Sequence, residues 1–247
     1  MAHGKLNTNR GAKRAREARA DAGLPDDAPL ECVLSFVEEA MSVPVAIVML
    51  PDRISGCCYR GADGERTILW VNGAHSHARQ RFTLAHELGH LRCGHDGKIP
   101  VETFMTIGGK STDDREVQAN AFAAELLAPK AGVTTWAEGR TPGLDDVLEL
   151  AAWCGLSAIA SLYRLNQLGL ISDGYDELRA TILDGDPAPP APYTDAITAC
   201  SAPRLSPVLH NSALAALVAG AASAEAVARV LGIDADTVAG SATDIGV

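Results

Sequence analysis

The residues best able to do chemistry lie in one pentapeptide, His86-Glu87-Leu88-Gly89-His90, which has the pattern His-Glu-x-x-His. On a helix, residues i and i+4 lie on one face, so the two imidazoles can bind one metal ion. Zinc suits such a site because it accepts imidazole and carboxylate ligands and leaves one position open. The intervening glutamate can then act as general base on a water molecule. These residues predict a zinc-dependent hydrolase, with His86 and His90 as ligands and Glu87 as the base.

The neighbouring residues favour a metal site over a surface helix that carries two histidines by chance. Phe82, Leu84 and Leu91 give the segment apolar positions among the polar ones. Gly89 costs about 1 kcal/mol relative to alanine inside a helix. Close backbone packing near the metal explains a small residue at that position.

A third ligand must come from elsewhere in the chain. The longer pattern His-Glu-x-x-His-x-x-Gly-x-x-His fails, because Cys93 and Asp96 stand where glycine and histidine are needed. The other arrangement takes a glutamate from a following helix, and Glu116 is the best candidate. Asn120, one turn further on, shares its face and can hydrogen-bond a ligand histidine. One alternative stays open, in which Glu116 forms a capping box with Asp113.

Other polar residues are weaker candidates for the site. Glu125 is half a helical turn around from the proposed ligand Glu116, so we expect it to face away. His75, His77, His95 and Tyr163 are each conceivable partners for a developing oxyanion. The sequence does not choose among these four, and a non-catalytic role is favoured for each.

The elements that position these residues alternate between helical and strand patterns. The order of the elements is predicted from three signals: apolar residues at helical spacing, a continuous apolar run, and two segments that flank a turn. They give a helix over 29–41, a strand over 43–50, a hairpin over 56–72 with its turn at 62–65, and helices over 76–93 and 113–129.

The rest of the chain reads as helices and a linker. Residues 143–172 are predicted to form two short helices joined near Gly155, a pattern similar to a helix-turn-helix motif. The second helix offers only Arg164 and Asn166 toward DNA, so helix packing is favoured there over DNA recognition. Residues 186–203 are rich in Pro and Ala and read as a linker. In residues 204–247 apolar residues recur at helical spacing, which predicts a small helical module.

Composition indicates a globular protein. Of the 247 residues, 47% are hydrophobic and 21% charged, so a packed core is expected. The longest apolar runs are too short to span a bilayer, and none follows the basic amino terminus as in a signal peptide. The six cysteines form no Cys-x-x-Cys pair or compact framework, which fits reduced thiols in the cytoplasm. We therefore expect a cytoplasmic protein with no membrane partner.

The charge is unevenly distributed. The formal net charge is −10, which argues against broad binding of nucleic acid. Residues 1–20 carry six Lys or Arg against one Glu, a balance of +5 on an otherwise acidic body. Residues 1–25 are therefore predicted to be a basic flexible tail.

Two blocks of sequence resemble the ImmA/IrrE family of zinc metallopeptidases. They are RQRFTLAHELGHL at 79–91 and the pattern E-x-x-A-N-x-F-A-A-x-L-L-x-P at 116–129, with weaker similarity over roughly 28–172. The resemblance implies that His86, His90 and Glu116 bind Zn²⁺ and that Glu87 is catalytic. The expected fold is α+β, with a zincin-like core over 26–185, a small twisted sheet beside the His-Glu-x-x-His helix, and a helical C-terminal region.

The resemblance also implies a substrate. Known members of the family cut Xre-type helix-turn-helix repressors and so derepress stress or mobile-element genes. We therefore expect a site-specific endopeptidase with a protein substrate. If residues 67–72 form an edge strand beside the His-Glu-x-x-His helix, an extended peptide can add to it. The alternatives are a metal-binding regulator that does not cleave and a DNA-binding helix-turn-helix protein.

Overall fold

The part of the chain that the structure describes folds into a four-stranded sheet surrounded by helices, so the α+β prediction is confirmed. The computed structural model describes residues 2–60, 67–95, 113–171, 173–185, 187, 204–231, 234–236 and 238. The predicted turn at 62–65 lies outside these residues, as does the predicted linker at 186–203 apart from Pro187. The predicted boundaries between domains stay predictions.

The sheet is mixed. Its strands are β1 (Val45–Val48), β2 (Gly56–Arg60), β3 (Thr67–Asn72) and β4 (Arg204–Leu205), in the order β2-β3-β1-β4. Strands β2 and β3 pair antiparallel, as the predicted hairpin requires, whereas β1 pairs parallel with β3. The hypothesis that residues 67–72 form an edge strand is wrong, because β3 is bonded on both sides. Among the described residues, the edge on that side of the sheet is β2.

The helices follow the predicted order. The chain has a short α-turn and then a π-helical segment, Phe36–Ala40, where one helix was predicted over 29–41. The helices are α1 (Ala2–Asp21), α2 (Val33–Ser35), α3 (His77–Arg92), α4 (Asp114–Leu127), α5 (Lys130–Ala137), α6 (Leu144–Cys154), α7 (Ala158–Gln167), α8 (Tyr175–Gly185), α9 (Pro207–Val218) and α10 (Ala224–Leu231).

Helix α3 runs through the middle of the molecule. Every residue from Gln80 to His90 is buried, whether apolar or not. The helix packs against β2 and β3 on one side and against α4 on another, with α1 and α2 also in contact. Some of its buried polar side chains bond to protein groups. Gln80, for example, donates from Nε2 to the carbonyl of His75 at 2.7 Å. An enclosed helix of this kind can hold its side chains in fixed positions.

The predicted flexible tail over 1–25 is wrong, because Ala2–Asp21 form helix α1, which packs along α4. Ala15 and Ala18 are fully buried in the main core. Arg19 is 1% exposed and donates to the carbonyl of Leu126 at 2.7 Å. The basic residues misled the prediction, because this guanidinium is stabilised by backbone carbonyls rather than by water.

The pair α6 and α7 has the predicted break at Gly155, which takes a left-handed conformation with φ of 65°. Arg164 was a candidate for DNA contact, but it is only 5% exposed. Its guanidinium donates to the carbonyl of Ala128 at 2.8 Å and pairs with Glu125 at 2.5 Å. These contacts hold Arg164 in the core, so the structure gives no support to DNA recognition by this residue.

The C-terminal helices have a small core of their own. Helices α9 and α10 pack together around Val227, Ala228 and Val238. The preceding β4 pairs antiparallel with β1 and so joins this part of the chain to the main sheet. Arg204 of β4 also pairs with Glu38 at 3.0 Å.

Within the described residues, no single helix is long and apolar enough to cross a membrane. Helices α6 and α7, bent by 100° at their junction, meet the length and composition criteria only as a pair.

Candidate metal site

Helix α3 supplies three of the predicted site residues. Ser76 precedes it as N-cap and Cys93 follows it as C-cap, which agrees with the predicted helix over 76–93. His86 and Glu87 are completely buried and His90 is 4% exposed. The Nε2 atoms of His86 and His90 lie 2.9 Å apart, as expected for two histidines one turn apart on one face.

Helix α4 supplies the carboxylate. Asp113 is its N-cap and accepts a hydrogen bond from the backbone N–H of Arg115 at 2.9 Å. The Glu116 side chain points toward α3, with its Oε2 3.4 Å from His86 Nε2 and its Oε1 3.3 Å from His90 Nε2. The structure therefore brings His86, His90 and Glu116 together, with their ligand atoms within 4.8 Å of one another. Of the two conformations considered for Glu116, this is the one a ligand requires.

Close packing of α3 on α4 sets the spacing of the three side chains. A Cβ atom added to Gly89 would lie 3.0 Å from Cβ of Phe122 and 3.1 Å from Cα and the carbonyl oxygen of Ala119. Any larger residue would push the two helices apart. This confirms the prediction that close backbone packing explains the glycine.

Both histidines have a hydrogen-bond partner on the ring nitrogen that faces away from Glu116. His86 Nδ1 lies 3.0 Å from Oδ1 of Asn120, as predicted for that residue. His90 Nδ1 lies 2.9 Å from Nδ1 of His95. Such partners fix the tautomer and the ring orientation of a metal-binding histidine. Each Nε2 is then left to face the other ligand atoms.

Glu87 lies where β2 passes over α3. A Cβ atom added to Gly56 would lie 2.6 Å from the Thr83 side chain and 3.4 Å from Cγ of Glu87. Burial, followed by the nearby charge of Glu87, raises the pKa of the Cys57 thiol to about 11 and that of Cys58 to about 12. The base candidate therefore lies in a tightly packed, poorly hydrated place. The two thiols are held in their neutral form.

The remaining candidates lie outside the cluster of ligand atoms. Glu125 faces away as expected and pairs with Arg164. His77 is nine residues before the first ligand, or about 13 Å along the helix axis. His75 contacts the carbonyl of Asp52 at 3.0 Å. The structure thus places neither of these two histidines beside the ligand atoms.

His95 and Tyr163 lie around the site rather than in it. His95 contacts the back of His90, and desolvation, followed by the neighbouring His90, lowers its pKa. Tyr163 accepts a hydrogen bond from Arg179 at 3.3 Å. It also lines a cavity of about 300 Å³ that borders Asn120. Sequence reasoning did not find Gln118, which contacts His95 from α4 at 3.4 Å, because an amide on a helix carries no pattern of its own.

The fold and the site define a class: a His-Glu-x-x-His helix beside a small mixed sheet, with a glutamate from the next helix completing a three-residue cluster. Residues 48–166 match the family model described as the IrrE N-terminal-like domain. The chain is also 31% identical over 106 residues to the radiation response metalloprotease IrrE of Deinococcus radiodurans, a match covering 42% of this chain. The segment at residues 48–166 therefore belongs to the ImmA/IrrE family.

The match to this relative is partial. It covers 32% of the relative's length, so the chain spans about one third of that protein. The family match begins at residue 48, which leaves α1 and the π-helical segment outside it.

Proposed function

We propose that the chain is a zinc-dependent endopeptidase with a zincin-like core, in which His86, His90 and Glu116 hold the metal and Glu87 is the general base. The observation that carries the proposal is the convergence of two imidazoles and one carboxylate, with ligand atoms within 4.8 Å, directly beside a buried second carboxylate. Membership of residues 48–166 in the ImmA/IrrE family supports it.

The residues present fit a zinc ion. Two imidazole nitrogens and one carboxylate oxygen leave the fourth tetrahedral position open, as catalytic zinc sites do. The hydrogen bonds of His86 to Asn120 and of His90 to His95 are made at Nδ1, so they orient both rings with Nε2 toward Glu116. Glu116 is 22% exposed on its side chain, so this side of the cluster is open to solvent and to a substrate.

In the proposed peptide hydrolysis, the metal and Glu87 have separate roles. A zinc ion held by His86, His90 and Glu116 would lower the pKa of a bound water to about 7 and polarise a carbonyl oxygen. Glu87 would accept the proton of the attacking water and pass it to the departing amine. Its burial against β2 suits that role, because a base shielded from bulk water keeps the proton close to the reacting atoms.

The substrate class is proposed from the family likeness. We propose a protein substrate, an Xre-type helix-turn-helix repressor, whose cleavage derepresses stress or mobile-element genes. The relative from Deinococcus radiodurans is named for the radiation response, which is a stress response of that organism. An extended segment of such a substrate fits the outer edge of β2, the strand that passes beside Glu87.

The first experiment is bound metal per chain by native mass spectrometry, together with turnover of a candidate repressor. Wild type is expected to bind one zinc, and Glu116→Ala to lose it or bind it far more weakly. Glu87→Gln should retain zinc and lose turnover. A wild-type chain that stays metal-free in excess zinc would overturn the proposal.

Glu87→Gln also separates the enzyme from a regulator that binds metal without cleaving. The regulator would show the same zinc occupancy and the same effect on its target gene in both forms. An enzyme would lose its effect on that gene with the loss of cleavage.

A further inference from the structure

A chain of hydrogen bonds leads from the candidate ligand His90 to the N-terminal helix. His90 Nδ1 lies 2.9 Å from His95 Nδ1, and His95 Nε2 lies 3.4 Å from Oε1 of Gln118. Gln118 Nε2 in turn donates to Oδ1 of Asn7 on α1 at 3.1 Å. Gln118 is 6% exposed and Asn7 is 7% exposed. We call these four residues the His90–Asn7 chain.

The direction of the donors follows from the chemistry of each group. Oδ1 of Asn7 only accepts, so Gln118 donates from Nε2 and presents Oε1 to His95. That oxygen also only accepts, so the hydrogen of His95 lies on Nε2. Two ring nitrogens 2.9 Å apart need one N–H and one lone pair, unless both bind the same metal ion as proposed for Nε2 of His86 and His90. His95 Nδ1 supplies the lone pair, and therefore His90 Nδ1 carries the hydrogen. His90 Nε2 is left as a bare lone pair facing Glu116.

Helix α1 cannot shift without moving the His90–Asn7 chain. A Cβ atom added to Gly11 would lie 2.1 Å from the carbonyl oxygen of Gln118, so the backbones of α1 and α4 touch at Gln118 itself. Arg16 pairs with Glu125 at 3.2 Å, and Arg19 donates to the carbonyl of Leu126, both further along α4. Helix α1 is therefore docked against α4 along its length and holds Asn7 in place.

We propose that His95, Gln118 and Asn7 are positioning residues that hold His90 in the tautomer and orientation needed to bind metal. Helix α1, which lies outside the family match at 48–166, is thereby part of the metal site. The other candidate ligand, His86, contacts Asn120, which lies inside the matched segment. This inference rests on the proposed function, since it assigns these residues a role toward the same metal.

The test measures zinc affinity of the full chain by competition with a chromophoric chelator. Removing an outer hydrogen-bond partner of a metal-binding histidine costs about 10- to 100-fold in affinity, which is the loss expected for His95→Leu. Gln118→Met and Asn7→Leu should show smaller losses in that order. Gln118→Glu keeps an acceptor for His95 but loses the donor toward Asn7, so its loss should be smaller than that of Gln118→Met. Asn9→Leu is the control, because Asn9 is exposed on the same helix.

A second readout needs neither metal nor activity. Long-range ¹H–¹⁵N spectra of the metal-free protein report which ring nitrogen carries the hydrogen. Wild type should show His90 protonated on Nδ1, and His95→Leu should shift it toward the Nε2–H form that free imidazoles prefer. If His95→Leu fails to fold, the comparison of Gln118→Met with Gln118→Glu carries the test.

The outcomes separate the two proposals. Zinc affinities within twofold of wild type in every variant, with an unchanged His90 tautomer, would overturn the positioning role and leave the peptidase proposal standing. A wild type that binds no zinc would end the peptidase proposal. In that case the tautomer spectra would still decide whether these residues position His90.

Discussion

Replacing Gly89 with alanine should damage the metal site more than the fold. The added Cβ would lie 3.0 Å from Cβ of Phe122 and 3.1 Å from Cα of Ala119. Carbon atoms in ordinary contact are about 3.5–4.0 Å apart, so α3 and α4 must separate by roughly 0.5 Å. The substitution therefore changes the distance between the histidines on one helix and Glu116 on the other.

The effect on stability has two opposing parts. Overpacking in a well-packed core costs about 1–3 kcal/mol. Alanine gains about 1 kcal/mol over glycine in a helix interior. The metal-free Gly89→Ala protein should therefore be about 0–2 kcal/mol less stable than wild type. Ala180→Gly, at an exposed position in α8, measures the propensity part alone with the opposite sign.

The effect on zinc affinity should be larger. Metal–ligand distances tolerate only about ±0.2 Å, so binding must restore the wild-type spacing of the helices. Compressing the contact back to that spacing costs about 1–3 kcal/mol beyond the cost that remains in the relaxed metal-free variant, which corresponds to a loss of about 5- to 150-fold in affinity. Chelator competition measures the affinity, and urea unfolding of the metal-free protein measures the stability. A variant that gains about 1 kcal/mol and binds zinc as wild type does would refute the reasoning.

Two other substitutions test the surroundings of the site. Glu125→Leu leaves the buried Arg164 without its carboxylate and should lower the free energy of unfolding by about 3–5 kcal/mol. Arg16→Ala removes a half-exposed partner of the same Glu125 and should lower it by about 1 kcal/mol or less. Similar losses for the two variants in urea unfolding would contradict this reasoning. Cys58→Pro removes a backbone N–H that faces the outer edge of β2, since Asn72 N–H bonds Ser55 and the ladder alternates from there. It should raise KM for a repressor substrate, and Cys58→Ala should not; equal KM values would remove the β2 edge from substrate binding.

The metal cluster was predictable because its signals are local. Two histidines one turn apart are brought together by helix geometry alone, whatever the tertiary structure. Asp113 marks the start of α4 as an N-cap, which sets Glu116 in its first turn. Asn120 then follows one turn later and meets His86. The comparisons confirm the family that these residues indicated, and the structure brings the three predicted ligands together.

The order of the strands was not predictable in the same way. The hairpin of β2 and β3 follows from their neighbouring positions in the chain, but β1 joins β3 across a crossover. The short β4 arrives from more than 130 residues away along the chain. Long-range pairing of this kind depends on how the whole chain closes, so the apolar pattern of residues 67–72 did not distinguish an edge strand from an inner one.

The misreading of α1 has a specific physical cause. Its buried apolar residues are alanines such as Ala15 and Ala18, which give little hydrophobic signal, and its exposed side carries the charge. The clearest evidence for burial comes from Arg19, a residue type that ordinarily indicates the surface. Its guanidinium donates to the carbonyls of Leu126 and Pro25 and so links the end of α4 to the segment after α1.

The same device recurs around the site. Arg81 of α3 donates to the carbonyls of Glu31 and Cys154, and Arg164 of α7 donates to that of Ala128 just after α4. Buried arginines thus join the ends of the surrounding segments to the two helices that supply the metal ligands. A guanidinium can do this because its several donors satisfy more than one carbonyl at once, which a lysine at the same place would do less well. Arg19 of the N-terminal helix is therefore evidence of how the chain packs around the candidate metal site.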